Sequence, residues 1–277
     1  MNYDFVIIGG GIIGISVALS LRKKYSDATI LVLEKESELG AHGSGRNSGV
    51  LHAGFYYTAD SLKAKFTRLG NLRWKDFISE KNLSIRNCGK LVVARNESEL
   101  AVFDELLDRA KKNGVRLHRV SEAEALEIEP KVKTFREALF SPDTATANPL
   151  EVIQALKVEA EEQGIRFSLL AEVVRCSGNV ITCGNQQVEA GYVVNAAGLY
   201  ADRIAKQFGF SENYTILPFK GLYLYSNRGV GEFRTNIYPV PDLRNPFLGV
   251  HVTVAVDGHA KVGPTAIPAL WREQYGG

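Results

Sequence analysis

The sequence predicts an α/β protein in which a parallel-sheet domain is interleaved along the chain with a mainly antiparallel β domain of α+β type. Two observations predict this fold class. Residues 3–35 contain a strand, a glycine-rich turn, a helix and a second strand, which is the size of one βαβ unit. From Tyr214 onward, apolar, aromatic and polar residues alternate in short runs that are typical of antiparallel strands.

Changes of pattern divide the chain into four segments. Residues 1–84 and 141–213 are predicted to form the two parts of the α/β domain. Residues 85–140 and 214–277 are predicted to form the two parts of the β-rich domain. The sequence contains no repeat or low-complexity linker, so the boundaries rest on the patterns alone.

Helix-start signals predict most of the remaining helices. Asn96 with Glu99, and Ser121 with Glu124, have the spacing of N-terminal capping pairs, and Asn148 precedes a proline that suits a first helical turn. A further helix over residues 61–82 would bury five apolar residues at roughly helical spacing: Leu62, Phe66, Leu69, Leu72 and Phe77. Strands are predicted over residues 89–95, 165–176, 179–183 and 187–195.

Composition excludes several classes of protein. The chain has 277 residues, of which 45% are apolar and 23% charged, and its formal charge of +2 gives no reason to expect binding to nucleic acid. Its three cysteines have no CxxC spacing, so the sequence predicts neither a disulfide framework nor a metal site.

The sequence also carries no targeting signal. The first strand begins within a few residues of Met1, which leaves no room for a signal peptide. The longest apolar stretch, residues 12–21, is much shorter than the roughly 20 residues that a membrane-spanning helix needs, so no transmembrane segment is predicted. We therefore expect a cytoplasmic protein, with peripheral attachment at the inner membrane as an open alternative.

Gly9, Gly11 and Gly14 form a GxGxxG pattern between the first strand and the first helix. In a Rossmann-like domain the first glycine permits a tight turn, the second lets the backbone approach a pyrophosphate, and the third lets helix and strand pack closely. The helix N-terminus adds free N–H groups and partial positive charge for the phosphates. This pattern predicts dinucleotide binding.

Glu34 supports the same interpretation. It follows the second strand, 20 residues beyond Gly14, where a carboxylate can accept hydrogen bonds from a ribose diol. The same charge would repel a 2′-phosphate, which argues against NADP. The pattern alone leaves FAD and NAD as alternatives.

Five stretches carry a resemblance to a known family: "DFVIIGGGIIG", "GRNSGVLHAGFYYTADSLKAKF", "VVNAAGLYADRIA", "PFKGLYLY" and "IYPVPDLRNPFLGVHVT". Together they resemble the D-amino-acid-oxidase-like FAD-dependent oxidoreductases, and within them the L-2-hydroxyglutarate dehydrogenase/oxidase family. The resemblance extends from end to end of the chain. It implies a Rossmann-like FAD-binding domain with an interleaved substrate domain, and FAD as the cofactor.

The resemblance implies which residues bind the cofactor. Asn47 and Ser48 fall where the family's second cofactor loop lies, whereas Arg46 beside them is equally consistent with a solvated surface arginine. The full set of expected FAD-binding residues is Gly9, Gly11, Gly14, Glu34, Lys35, Arg46, Asn47, Ser48, Val173 and Gly198.

Oxidation of a 2-hydroxy acid needs a base for the hydroxyl proton, and histidine suits that task near neutral pH. Of the five histidines, His52 is the expected catalytic residue because it lies in the family-specific "NSGVLHAGFYY" stretch. His251 alternates with Thr253 on a predicted strand, where a solvent-facing position and a place in the substrate cavity are both open. His42, His118 and His259 are weaker candidates for this base.

A 2-hydroxydicarboxylate carries two negative charges, so cations and hydroxyl donors should line its site. The expected substrate-binding residues are Tyr57, Lys220, Tyr238, His251 and Thr253. Arg244 and Arg272 are further candidates for the distal carboxylate, although exposed arginines are common.

The resemblance implies FAD-dependent oxidation of L-2-hydroxyglutarate to 2-oxoglutarate, with electrons passing to a quinone, an electron carrier or oxygen. Two alternatives stay open: another oxidoreductase of the superfamily, such as an amino-acid oxidase or a glycerol-3-phosphate dehydrogenase, and a non-catalytic nucleotide-binding fragment. Family members continue beyond the end of this chain, which is therefore expected to be C-terminally truncated relative to them. We expect these 277 residues alone to hold FAD poorly and to aggregate, because a truncated sheet exposes an unpaired edge.

Overall fold

A computed structural model describes residues 2–242, 247 and 249–276. Within them the helices are α1 (Ile12–Lys24), α2 (Leu62–Glu80), α3 (Glu97–Asn113), α4 (Glu122–Ile128), α5 (Pro149–Glu162) and α6 (Ala201–Gln207). The strands are β1 (Asn2–Ile8), β2 (Ile30–Leu33), β3 (Val50–Leu51), β4 (Ile85–Arg86), β5 (Lys90–Val93), β6 (His118–Ser121), β7 (Glu137–Ser141), β8 (Ala145–Ala147), β9 (Arg166–Ser168), β10 (Val173–Ser177), β11 (Val180–Cys183), β12 (Gln186–Asn195), β13 (Phe219–Lys220), β14 (Leu224–Tyr225), β15 (Asn236–Pro239), β16 (His251–Val254), β17 (Ala260–Gly263) and β18 (Ile267–Pro268).

The chain folds into two compact units. Unit 1 comprises residues 1–47, 149–218 and 268–277, and unit 2 comprises residues 48–148 and 219–267. The boundaries between the two units thus lie at different positions from the predicted domain boundaries. Residues 48–84, predicted for the α/β domain, lie in unit 2, and the last ten residues, predicted for the β-rich domain, lie in unit 1.

Unit 1 contains a six-stranded sheet in the order β10-β11-β12-β1-β2-β9. β1 lies in parallel between β12 and β2, and β9 continues the parallel arrangement beyond β2. The opposite edge is an antiparallel extension formed by β10 and β11. Its core is made of apolar residues of these strands, among them Val6, Ile8, Leu31, Leu33 and Ile181. The βαβ unit predicted from the glycine pattern is confirmed.

Unit 2 is built on a seven-stranded sheet in the order β14-β17-β16-β15-β5-β7-β6. Most neighbours are antiparallel, but β15 pairs with β5 in parallel, with Tyr238 opposite Val92. The sheet is therefore mixed, which the purely alternating pattern after Tyr214 does not predict. A second, three-stranded sheet is formed by β3, β8 and β4, all short strands that the sequence pattern did not indicate.

Local sequence explains where the helices begin and end. Ser121 and Glu124 form the predicted capping box of α4, and the Asn96 side chain accepts a hydrogen bond from the Glu99 N–H at the start of α3. Gly114 ends α3 in the left-handed conformation that glycine adopts without strain. These caps confirm the predicted helix starts.

The helix predicted over residues 61–82 is present as α2, but three of the five apolar residues on which the prediction rested are exposed. Leu62, Phe66 and Leu72 are among the exposed large apolar residues of the chain, whereas Ala64, Asn71 and Ile78 are buried. The buried face of α2 is therefore formed by other residues, including the polar Asn71. No helix among the described residues has both the length and the apolar character needed to cross a membrane.

Candidate active site

Unit 1 contains a cavity of about 640 Å³ at the carboxyl ends of its parallel strands. Its walls include the turn after β1, the residues that follow β2, the start of β10 and the turn that follows β12. Six of the residues expected to bind a cofactor line it: Gly9, Gly11, Glu34, Lys35, Val173 and Gly198. The carboxyl end of a parallel sheet is where dinucleotides bind in doubly wound α/β folds.

The glycines of the GxGxxG pattern are required by close backbone contacts. Gly9 has φ +112°, and a Cβ there would lie 2.3 Å from the Ala196 carbonyl oxygen. A Cβ on Gly14 would lie 1.9 Å from the Gly9 carbonyl oxygen, because α1 packs directly against the turn. Gly14 thus lies inside the turn rather than on the cavity wall, as its predicted packing role implies.

The N-terminus of α1 faces a hydroxyl group. Its cap residue is Gly11, which has no side chain to accept a hydrogen bond, and the Ile12 N–H donates instead to Ser44 Oγ at 3.0 Å. Ser44 also lines the cavity. The first turn of α1 is therefore available to bind an anion, with Ser44 as a neighbouring hydroxyl.

The Glu34 carboxylate is buried at the end of β2. One of its oxygens accepts a hydrogen bond from the Gly10 N–H at 2.8 Å, and the other accepts one from the Glu36 N–H at 3.0 Å. These two bonds fix the carboxylate at the cavity wall, while its remaining lone pairs can accept from a diol. The geometry is that expected for a residue that binds ribose.

The predicted second cofactor loop lies at the edge of unit 1. Arg46 and Asn47 are exposed, and neither is among the cavity residues. The Arg46 guanidinium stacks over the Tyr275 ring and donates to the Ala41 carbonyl, and the Asn47 amide donates to the Ser44 carbonyl at 2.6 Å. Ser48 is the first residue of unit 2. A cofactor role for these three residues stays a prediction.

Lys35 lies in a network of charged side chains next to the cavity. Its ammonium forms ion pairs with Glu36 and with Glu273, the latter at 2.6 Å, and His42 lies 2.9 Å from Glu36. Burial opposes the charge of Lys35, but these pairs outweigh it and raise its pKa. Glu36, His42 and Glu273 lie near enough to each other to hold a metal ion, yet the Lys35 ammonium already forms ion pairs with both carboxylates.

Arg272, a candidate for a substrate carboxylate, has a partner within unit 1. Its guanidinium forms a bidentate ion pair with Asp202, with N–O distances of 2.6 and 2.7 Å, and also donates to the Leu199 carbonyl. Arg272 therefore anchors the end of the chain next to α6. Arg244 lies outside the described residues.

Unit 2 buries an ammonium group among aromatic rings. Lys90, at the start of β5, has no exposed surface. Its Nζ lies 4.5 Å from the centre of the Phe55 ring, 4.3 Å from Tyr56 and 4.7 Å from Tyr238. Among the described residues it has no carboxylate partner, and burial lowers the pKa of Lys90 to about 7. Cation–π attraction of this kind partly replaces the missing counter-ion.

His52 lies beside this ammonium. Its Nδ1 is 3.5 Å from Lys90 Nζ, and its ring meets the Tyr238 ring edge-on. Asn71 of α2 holds the backbone at this point, because its amide donates to the carbonyls of Leu51 and His52. This explains why α2 buries an asparagine.

His251 is buried at the start of β16, which excludes the solvent-facing position, and its place in a substrate cavity stays a prediction. Its ring stacks on Tyr238 with centroids 3.8 Å apart, and its Nδ1 lies 2.8 Å from the Gly249 carbonyl oxygen. Thr253, two residues further along the same strand, is also buried. The structure thus brings four predicted residues to this sheet and its margin: His52, Tyr238, His251 and Thr253.

Both imidazoles are neutral at neutral pH. Burial, then the positive charge of Lys90 and then His251, lower the pKa of His52 to about 3. Burial lowers the pKa of His251 to about 4, against the opposing effect of the Gly249 carbonyl. Each ring therefore keeps one unprotonated nitrogen, which can accept a proton or a hydrogen bond.

Two predicted substrate residues lie elsewhere in unit 2. Tyr57 has its ring against the ammonium of Lys63, and the Tyr56 ring faces Lys90 instead. Lys220 is in β13, which belongs to a separate two-stranded sheet with β18. Their roles stay predictions.

Sequence reasoning missed Lys90, Phe55, Tyr56 and Asn71. Lys90 had a visible signal, since it is a charged residue at the start of a strand whose next four residues are apolar. Phe55 and Tyr56 are part of the "GFYY" stretch, but nothing in the pattern says which of its rings faces inward. Asn71 gave no signal, because one asparagine on an amphipathic helix is ordinary.

Comparison with known proteins identifies the family. The model of a family described as FAD dependent oxidoreductase, abbreviated DAO, matches residues 4–276. The chain belongs to this family. FAD is the family's cofactor, and the predicted resemblance to its L-2-hydroxyglutarate dehydrogenase members is confirmed by the relatives that follow.

Several relatives within the FAD-dependent oxidoreductase family are L-2-hydroxyglutarate dehydrogenases. The protein of that name from Salmonella houtenae is 42% identical over 99% of this chain. The mitochondrial L-2-hydroxyglutarate dehydrogenases of Nematostella vectensis and Pongo abelii are 37% and 34% identical, also over 99% of the chain. The chain spans 66%, 64% and 70% of these three relatives, respectively, or about two thirds of their length.

Solved structures of this FAD-dependent family share the fold. L-α-glycerophosphate oxidase from Mycoplasma pneumoniae, solved with FAD bound, is 25% identical with a TM-score of 0.83, and the match covers 99% of this chain and 74% of that one. Glycine oxidase from Geobacillus kaustophilus is 21% identical with a TM-score of 0.82, over 98% and 73% of the two chains. The similarity to glycine oxidase supports the fold alone.

The residues of unit 1 fit the adenosine diphosphate part of FAD. Backbone occupies the space that a Cβ would fill at Gly9 and Gly14, which fixes the tight turn and the close packing of α1, and Gly11 on the cavity wall has no side chain that would keep a pyrophosphate away. The exposed first turn of α1, Ser44 and the Lys35 ammonium suit its phosphates, and Glu34 suits its ribose. The adenine would meet the apolar wall that includes Val173 and Ala171.

Proposed function

We propose that the protein to which this chain belongs oxidises L-2-hydroxyglutarate to 2-oxoglutarate. The relatives at 34–42% identity carry that activity in their names, and unit 2 offers a matching set of groups. The observation that carries the proposal is a pair of neutral imidazoles, His52 and His251, that both contact the Tyr238 ring. Beside them lies Lys90, which has no carboxylate partner among the described residues.

The chemistry requires that carbon 2 loses a hydride and that its hydroxyl loses a proton. FAD, when bound by Gly9, Gly11, Gly14, Glu34, Lys35, Val173 and Gly198, supplies the hydride acceptor. The chain's own part is to receive the proton and to hold the substrate in one orientation. An imidazole with an unprotonated nitrogen can receive a proton, and unit 2 provides two of them.

Charge favours an anionic substrate. Lys90 is buried without a counter-ion among the described residues. An anion bound nearby would therefore offset part of the unfavourable free energy of burying its charge. The Tyr56 hydroxyl is buried and has no hydrogen-bond partner in the described part of the chain, so it is also available as a donor. We include Tyr57, Lys220, Tyr238 and Thr253 in the proposed substrate site, with Arg46, Asn47 and Ser48 in the proposed cofactor loop.

The test is anaerobic reduction of the flavin-loaded protein, followed by its visible absorbance. We expect L-2-hydroxyglutarate to bleach the absorbance, and we expect its D-isomer, glycerol 3-phosphate and amino acids to leave it unchanged. Bleaching by glycerol 3-phosphate or an amino acid instead would assign the protein to another activity of the superfamily. Absence of bleaching by every compound would favour the non-catalytic alternative.

The electron acceptor and the cellular location are also proposals. The electrons pass onward to a quinone, an electron carrier or oxygen, and the rates of re-oxidation by each acceptor after substrate reduction distinguish the three. The cytoplasmic location expected from the sequence, or peripheral attachment at the inner membrane, is tested by cell fractionation.

His52→Ala should slow reduction of the flavin by L-2-hydroxyglutarate by about 10²-fold, because it removes a group placed at the reacting hydroxyl. FAD binding should stay intact, since the expected FAD contacts in unit 1 do not include His52. Stopped-flow absorbance measures the rate, and His118→Ala, at an exposed position in the same unit, is the matched control. An unchanged rate in His52→Ala would remove this residue from the mechanism.

A further inference from the structure

The two buried histidines of unit 2 use their ring nitrogens differently. This difference matters because a neutral imidazole has one N–H donor and one bare nitrogen, and a partner on one nitrogen determines which is which. The inference that follows rests on the proposed function and assigns a separate task to each ring.

His251 is held as a donor at Nδ1. The atom facing it at 2.8 Å is the Gly249 carbonyl oxygen, which can only accept a hydrogen bond. The proton of the neutral ring is therefore on Nδ1, and Nε2 is bare. The same hydrogen bond stabilises the ring when it becomes charged, as its raising effect on the pKa of His251 indicates.

His52 is held in the opposite way. The Lys90 ammonium is surrounded by groups that only accept from it: the faces of Phe55, Tyr56 and Tyr238, and His52 Nδ1 at 3.5 Å. Below its pKa of about 7, Lys90 is an ammonium with three protons and no lone pair, so in that form it donates to Nδ1. The proton of the neutral His52 ring is therefore on Nε2.

We propose that His251 Nε2 is the base that accepts the hydroxyl proton, that His52 Nε2–H donates a hydrogen bond to the substrate oxygen, and that Lys90 is the positioning residue that fixes the His52 tautomer. The O–H bond of the substrate breaks and its proton forms an N–H bond on His251. The C2–H bond breaks with its electron pair passing to the oxidant of the proposed function, and the C–O bond becomes a carbonyl.

The assignment is consistent with where charge develops. As the hydroxyl loses its proton, its oxygen becomes more negative, and a fixed N–H donor stabilises it more than the neutral starting group. Lys90 lies directly against His52, so a second positive charge on that ring is strongly disfavoured. His251 instead has a carbonyl oxygen to stabilise the imidazolium that forms.

The first test observes the tautomers directly, without substrate. In protein labelled with ¹⁵N at its five histidines, two-bond ¹⁵N–¹H correlations distinguish a protonated nitrogen from a bare one. His52 and His251 are recognised because their shifts stay constant between about pH 6 and about pH 5, below the pKa of Lys90 and above their own lowered pKa values. We expect one ring protonated at Nε2 and the other at Nδ1, and two rings with the same tautomer would overturn the proposal.

Lys90→Met tests the positioning role in the same spectrum. Methionine has an unbranched side chain that is one atom shorter and has no N–H, so the His52 ring should show both tautomers while His251 keeps its own. A His52 tautomer that is unchanged in Lys90→Met would mean that Lys90 does not fix it. A merely structural role of Lys90 predicts no change in either tautomer.

The second test compares glutamine at the two positions. A glutamine amide can replace an Nε2–H donor but cannot accept a proton near neutral pH. We therefore expect His52→Gln to reduce flavin within about tenfold of the parent rate, and His251→Gln to lose about 10²-fold. The reverse order of sensitivity would make His52 the base and overturn the proposal.

The two kinds of failure are distinguishable. If no substrate reduces the parent protein, the proposed function fails, while the tautomer measurement still reports on the arrangement of the rings. If L-2-hydroxyglutarate reduces the parent protein but the tautomers or the glutamine variants give the opposite result, only the assignment of roles fails. If a glutamine variant does not fold, the spectrum of the parent protein decides alone.

Discussion

Lys90→Met should be more stable than the parent chain near pH 7, and its advantage should shrink as the pH rises. The pKa of Lys90 is about 7 in the folded state and 10.5 for an ordinary lysine, so the unfolded chain binds one more proton between these values. The free energy of unfolding of the parent then rises with pH, by up to about 1.4 kcal/mol per pH unit. Lys90→Met lacks this contribution, and it also removes a buried charge.

Urea denaturation between about pH 7 and about pH 9 measures the effect. This window avoids three other groups that titrate differently in the folded state. The lowered pKa values of His52 and His251 affect stability below it, and the raised pKa of Cys176, about 11, affects stability above it. Lys65→Met, at an exposed position on α2, is the control for loss of one charge. Parallel pH profiles for the parent and Lys90→Met would contradict the prediction.

Gly14→Ala should weaken FAD binding at least tenfold. Alanine is the better residue for a helix interior by about 1 kcal/mol, so helix propensity alone predicts a gain. The new methyl group, however, would lie 1.9 Å from the Gly9 carbonyl oxygen, and backbone cannot move aside as a side chain can. Helix α1 must shift away from the turn, and the pyrophosphate site shifts with it.

Equilibrium dialysis against FAD measures the loss, and Gly43→Ala is a matched control. Gly43 also lines the cavity of unit 1, but its added methyl group would meet no atom within 4 Å. Gly43→Ala should therefore bind FAD as the parent does. Equal affinity in Gly14→Ala and the parent would show that the close packing of α1 is not needed for the cofactor.

The parts of the fold that were predictable depend on interactions between near neighbours in sequence. The glycine pattern, Ser121 with Glu124, and Asn96 with Glu99 each specify a local structure by themselves, and all of these are present. The partners of a strand are set by distant residues instead. The parallel pairing of β15 with β5 joins residues about 146 positions apart, such as Tyr238 and Val92, and no local pattern encodes it.

The residues of the candidate site also differ in how far the sequence could predict them. The residues of unit 1 that line its cavity were predictable because a phosphate-binding turn has a sequence signature. In unit 2, His52 and His251 were chosen by residue type, but Lys90 beside His52 was not, since it becomes unusual only when three rings surround it. Helix α2 was predicted correctly from its apolar spacing, but that spacing cannot say that Leu62 and Phe66 are exposed while a buried Asn71 holds the backbone at His52.

The pairing of β1 with β12 has a consequence for synthesis on the ribosome. Asn2–Ile8 forms the middle of the first sheet, yet its parallel neighbour ends at Asn195. At about 5–20 residues per second, roughly 10–40 s pass before both strands have been made. During that time β1 has no partner on that side, so one of its edges stays open to pairing with other chains.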